Sequence, residues 1–332
     1  MERLSGARRR RPPVGLLGVA FVTALTLAVA APATAQLDRA GLAAACETAG
    51  GASGDCLRAA LGAEAIAGGV GLAFSLGDEF PGSASTLGKR FGTTPRVAAA
   101  VRFGMSGLEL PEGSSGVDET RSAWVPSLHG AVAVSLFDGF RPRPTVGGVL
   151  AVDLIATGDF AFLPSGDGFD GAVAAIGYGI RLGAVRESFS LPGITVSALR
   201  RHGGRLEWAG VSGDRPGAVV LDGTTTTSLR GTVGREFLAL GIQAGLGWER
   251  ISADGTLGPA GPAASSGAVV FEDLEADRIL FFGGVTWTWL VTQLHAELGY
   301  ASGFESTSDP AAGAFDPTAG ALLGSLTFRI LF

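Results

Sequence analysis

The chain has 332 residues, 46% of them hydrophobic and 17% charged, with 53 glycines. So little charge would suit a bundle of membrane helices, but that many glycines would not, since glycine is a poor helix former; a β protein with one apolar face fits better. The formal net charge of −6 speaks against nucleic acid as a partner.

Residues 1–35 read as an export signal. Arg3 and the run Arg8 to Arg11 form a basic start, an apolar stretch covers 14–30, and Ala33-Thr34-Ala35 offers a small-residue cleavage site before Gln36. Cleavage after Ala35 removes five of 25 basic residues and one of 31 acidic ones, leaving 20 against 30. Export makes Cys46 and Cys56 readable as a disulfide closing a short loop, because two thiols with the histidines distant in sequence do not make a metal site. On either side of that loop, 37–46 and 56–67 look like short helices. The whole of 36–94 is expected to be a luminal plug, a periplasmic cap or a further strand pair, in that order.

From 95 onward the ruling pattern is alternation with a period of two, the mark of a strand with two unlike faces. In 96–105, Val97, Ala99, Val101, Phe103 and Met105 oppose Arg96 and Arg102. In 124–136, Trp124, Leu128, Val132, Val134 and Leu136 oppose Ser127, His129 and Ser135. Over 146–154, Val146, Leu150, Val152 and Leu154 oppose Thr145 and Asp153; over 172–182, Ile176, Tyr178, Ile180 and Leu182 oppose Arg181 and glycines. Segments 194–199 and 224–233 alternate less cleanly, the second carrying Arg230. Leu240, Ile242, Leu246 and Trp248 then oppose Gln243 and Glu249, and 278–289 follows. Finally Leu294, Ala296, Leu298 and Tyr300 oppose Gln293, His295 and Glu297, and Leu326, Phe328, Ile330 and Phe332 oppose Thr327 and Arg329. The fold class expected is therefore all-β, an antiparallel transmembrane β-barrel of about ten strands, with eight to twelve compatible.

Link lengths agree. Those near 137–144, 186–193, 235–239 and 289–292 are short, and those near 110–123, 157–171, 201–223, 252–277 and 301–319 are long. Short periplasmic turns alternating with long external loops are what an outer-membrane barrel shows, with both ends of an even-stranded barrel periplasmic. Trp124, Trp248 and Tyr300 fall toward the external ends, and Phe137, Phe140, Trp289 and Phe332 toward the periplasmic ends, where amphipathic rings favour the interfaces.

The run AIAGGVGLAFSLGDEFPGSASTLGKRFGTTPRVAAAVRFG resembles the N-terminal region of fatty-acid-transporter-type outer-membrane barrels, in which a Gly-rich stretch precedes the first strand and the N-terminus folds into the lumen. It departs where that family carries an Asn-Pro signature, here Ser83-Ala84-Ser85-Thr86-Leu87-Gly88, and that family has more strands. More broadly, 95–332 resembles bacterial outer-membrane β-barrels, most specifically in the terminal Leu326, Phe328, Ile330 and Phe332. The resemblance implies that this strand is the signal read by the barrel-assembly machinery.

There is no P-loop, no G-x-S-x-G and no H-E-x-x-H, and Gly177 to Gly183 lies within a strand, so neither catalysis, metal nor cofactor is expected. The expected lumen-lining polar set is Arg102, His129, Asp153, Arg181, Arg230, Gln243, Glu249, His295, Glu297 and Arg329, which must pair or stay wet because isolated buried charge is costly. Inward glycines (177, 179, 183, 241, 245 and 247) leave room for a narrow passage. His202, Arg200, Arg201 and Arg205 read as a basic patch in a long loop, first as a solvated loop and second as a contact for anionic lipopolysaccharide headgroups, with Asp159, Asp167, Asp170 and Asp273 at the same rim. The function expected is an outer-membrane barrel in contact with lipid and lipopolysaccharide, acting as a narrow channel or carrier for small solutes. Two alternatives stand beside it: a structural or surface-interaction barrel with a closed, salt-bridged lumen, and an outer-membrane hydrolase.

Overall fold

The computed structural model describes residues 39–90, 93–112, 119–141, 148–188, 191–208, 218–258, 268–303, 316 and 319–332. The expected signal and its cleavage site lie outside them. Two helices, α1 (Arg39–Thr48) and α2 (Ser53–Ser75), precede ten long strands: β1 Val97–Glu112, β2 Glu119–Phe137, β3 Ala151–Phe162, β4 Ala172–Val185, β5 Gly193–Gly203, β6 Ala218–Phe237, β7 Leu240–Gly258, β8 Val269–Trp289, β9 Thr292–Ala301 and β10 Ala321–Leu331.

Each strand pairs antiparallel with its sequence neighbour, and β10 pairs with β1 from Leu323↔Ser106 to Leu331↔Ala98. That last ladder closes the sheet into a barrel, so that it has no open edge. The segments Lys89–Arg90 and Thr94–Pro95 pair only with each other, outside the barrel sheet. The N-terminal region therefore adds no further pair of wall strands.

One rim carries tight turns. At Leu238-Ala239 and Leu290-Val291 only two residues join paired strands, and both leucines take a φ of 55°. Two-residue hairpins need a positive φ, which for a leucine costs about 1–2 kcal/mol. The other rim carries the longer connections, several of them shorter than the sequence suggests. Strand β3 runs on to Phe162, β5 to Gly203 and β7 to Gly258, because ladder hydrogen bonds continue through Gly-, Asp- and Arg-rich stretches that look like loops.

The strands are longer than a membrane requires, and their faces change character partway. A tilted strand crosses lipid in about 9–11 residues, whereas β7 has 19 and β8 has 21. On β7, Leu240, Ile242 and Leu246 face outward exposed while Gln243 and Glu249 are buried inside. Beyond Trp248 the pattern inverts: Arg250, Ser252 and Asp254 face outward and Ile251, Ala253 and Leu257 are buried. Strand β8 does the same, with Phe281 and Trp287 outward in one half and Phe271 and Leu274 buried in the other. Outside that boundary Arg250 makes two 2.9 Å hydrogen bonds to Asp277 and lies over the Trp248 ring. The half nearer the tight turns is thus an apolar-outside barrel, and the half nearer the long links is a collar with a polar outside and an apolar core.

Candidate functional site

Helix α2 fills that collar. It continues well past the expected 56–67, through Gly68, Gly69 and Gly71, to Ser75. Glycine in a helix interior costs about 1 kcal/mol relative to alanine, but here a side chain has nowhere to go: a Cβ on Gly62 would collide with Trp208, one on Gly69 with Leu108, and one on Gly71 with Ile251. Ala59, Ala63, Ile66, Val70 and Phe74 pack in one cluster with Leu110, Val125, Leu221, Leu257 and Phe271 of the wall and with Phe169 of the link between β3 and β4. Cys46 and Cys56 join that cluster and are disulfide-bonded, tying α1 to α2 at the long-link rim.

Below the helix the chain turns through Gly77-Asp78-Glu79-Phe80 and descends to β1 at Val97. The wall around this turn is where the expected polar residues lie. Arg102, His129, Asp153, Arg181, Arg230, Gln243, Glu249, His295, Glu297 and Arg329 are all buried on the inner face. Three more wall residues join them. Asp159, expected at the rim, is 1% exposed on β3; Arg201, expected in a loop, is 1% exposed on β5; and Arg278, at the start of an expected strand but not in the expected lumen set, is 5% exposed on β8. Each continues the inward parity of its strand, and that parity is the signal by which they could have been found.

The contacts are specific. Arg102 donates to the carbonyls of Asp78 (2.7 Å) and Ser75 (3.4 Å), and Arg230 to that of Gly77 (3.2 Å). The Glu79 carboxylate accepts from Arg201 and Ser228, with Arg230 at 3.8 Å. The Asp78 N–H donates to Glu297 (3.1 Å) and Gln243 donates to Asp78 (3.2 Å). One turn higher, Glu249 accepts from Arg230 (2.7 Å), Arg278 and Ser75, and Arg278 also donates to the Gly68 carbonyl (2.9 Å). Arg329 donates to the Pro81 carbonyl (3.3 Å) and stacks on the Phe80 ring, while the Leu87 N–H donates to Asp153 (2.9 Å). His295 bonds Thr286 (2.9 Å) on the wall itself.

These contacts also balance charge. The wall buries six arginines here (102, 181, 201, 230, 278 and 329) against four carboxylates (153, 159, 249 and 297), and the plug adds two, Asp78 and Glu79. Unpaired buried charge is costly, so the inserted segment completes the neutralisation that the wall lacks.

Among the lumen contacts, Ser127, His129 and Asp159 stand in series, at 2.9 and 2.8 Å, the connectivity used in acyl transfer. All three lie buried beneath the plug, and Asp159 also binds Arg201 at 3.2 Å, so the series is held as part of the network. Among the described residues no group of metal-ligating side chains forms.

The remaining expected features fall as follows. The space beside the inward glycines is occupied: Arg201 and Thr157 stand against Gly177, Thr86 against Gly183, Phe282 against Gly245 and Arg230 against Gly247. The basic loop patch divides, with Arg200 and Arg205 exposed, Arg201 buried and His202 stacked on Tyr178. Asp167 pairs with Arg121 at 2.6 Å, Asp170 is exposed, and Asp273 lies on β8. Leu326, Phe328 and Phe332 are exposed on the outer face, with Ile330 half-buried among them.

No protein-family model matches the chain, and no curated protein matches it in sequence. Solved structures with a similar fold include the translocator domain of the autotransporter NalP from Neisseria meningitidis (11% identity, TM-score 0.41, covering 73% of this chain and 89% of that one). They also include the transport unit of the autotransporter AIDA-I from Escherichia coli (9%, 0.40, 81% and 98%). A third is the COG4313 outer membrane channel from Pseudomonas putida F1 (11%, 0.37, 77% and 100%). At these identities the likeness concerns the fold. With its closed ladder, apolar outer belt and inserted N-terminal segment, the molecule is a β-barrel of the outer-membrane type that carries its own plug.

Proposed function

We propose that the protein is a closed, self-plugged barrel of the bacterial outer membrane whose working surface is the collar and loops at the long-link rim. The carrying observation is the charge complement just described: Asp78 and Glu79 meet the arginine excess of the wall, which argues for a plug resident in the native state. Short turns face the periplasm in such barrels, so the tight-turn rim is periplasmic and the collar stands outside the cell. The polar face of the collar suits water, and its apolar core gives α2 its seat.

Because α1 and the disulfide sit at the long-link rim, the start of the folded segment lies at the cell surface. An epitope tag inserted before Arg39 is expected to bind antibody on intact cells; binding only after permeabilisation overturns the orientation. In planar bilayers the purified protein is expected to show background conductance. Steady ion flow through the wild-type protein would instead favour the narrow-channel reading, which the charged lining of the lumen otherwise supports as second choice.

A further inference from the structure

A cavity of about 330 Å³ opens at the tight-turn rim, floored by Ser83, Ser85, Thr86 and Leu87 of the plug. It shares Arg329 with the network around Asp78 and Glu79 but is otherwise lined by other residues. Its wall is unusual in charge placement. Arg329 on β10, Arg96 at the foot of β1 and Arg186 at the foot of β4 line one arc, and Glu187 and Glu236, at the feet of β4 and β6, line the next.

Arg96 and Arg186 both donate to one neutral acceptor, the Leu87 carbonyl, at 3.5 and 3.3 Å. Two guanidinium groups are thereby gathered on an oxygen that carries no charge, with the Asp138 carboxylate 3.8 Å from Arg186. Like charges brought together this way leave donor edges suited to a planar anion, since guanidinium meets carboxylate through paired hydrogen bonds. On the opposite arc one oxygen of Glu187 accepts from the Glu236 N–H at 2.6 Å.

Arg329, Gln293 and Thr86 also line the cavity and are 2%, 3% and 3% exposed.

We propose that this vestibule binds small zwitterions from the periplasmic side, solutes carrying a carboxylate and an ammonium a few bonds apart. The carboxylate lies between Arg96 and Arg186, above Arg329, and the ammonium faces Glu187 and Glu236. The site needs no opening of the lumen, so it stands or falls apart from the closed-barrel reading.

The test is calorimetric titration of the full chain in detergent at low salt, with glycylglycine, acetate and ethylamine as probes. Glycylglycine is expected to saturate and to bind about tenfold more tightly than acetate or ethylamine. Arg96→Gln with Arg186→Gln is expected to weaken glycylglycine about tenfold, and Glu187→Gln with Glu236→Gln to erase its advantage over acetate while leaving acetate unchanged. These side chains are at least partly exposed, and an unchanged thermal midpoint confirms that each variant folds. If a pair does not fold, Arg96→Gln and Glu187→Gln alone give the same comparison. Absence of saturable binding below about 10 mM, equal affinity for acetate and glycylglycine, or insensitivity to the arginine changes overturns the proposal.

Discussion

Replacing Glu79 by alanine is expected to destabilise the docked plug by about 3–5 kcal/mol, the cost of removing one partner from a buried ion pair. Glu79 is 1% exposed, and Arg201, Ser228 and Arg230 all turn toward it. With the carboxylate gone, the arginine excess of the wall rises, and among the described residues Arg201 keeps Asp159 as its ion-pair partner at hydrogen-bond range. The neighbouring change Ser228→Ala removes one hydroxyl and should cost about 0.5–1.5 kcal/mol. Hydrogen exchange of residues 72–88 reads the difference, because those amides exchange when the segment leaves the wall. A Glu79→Ala effect no larger than that of Ser228→Ala means the lumen is wet and the pairs contribute little.

Trp208→Ala should cost a similar amount by a different route. The indole is 1% exposed, its face presses on Gly62 of α2, and its Nε1 donates to the Asp167 carbonyl at 2.9 Å. Removing a buried tryptophan costs about 3–5 kcal/mol through lost burial and the cavity left behind. This residue belongs to the collar, so the loss should appear as faster exchange along α2 while the barrel still inserts into detergent or lipid. A variant that fails to insert at all would place Trp208 in the membrane-embedded part and contradict the inverted collar.

These two changes probe two halves of one tube, and the halves differ in how much of them the sequence reveals. The ten strands were legible because lipid on one side and an enclosed lumen on the other impose alternation on each strand. The terminal stripe Leu326, Phe328 and Phe332 was legible for the same reason, and so was the disulfide from spacing and compartment. Asp159 and Arg201 were misplaced because Gly158-Asp159 and Arg200-Arg201-His202 have the composition of turns, and only ladder pairing with β4 and β6 keeps them in strands. The collar escaped notice because an inverted strand still alternates. Parity alone does not say which face is wet.

What the amino-acid order determined by itself was the class of fold and the strand parity, since each depends on spacing along one segment. Only the tertiary structure decided that α2 runs through five glycines, that Asp78 and Glu79 meet Arg201 and Gln243, and that the glycine gaps of the wall are filled. Those facts join residues on different elements, Glu79 and Arg201 being 122 positions apart, and whether a helix tolerates glycine or a wall tolerates six arginines depends on what stands opposite, which no local pattern records.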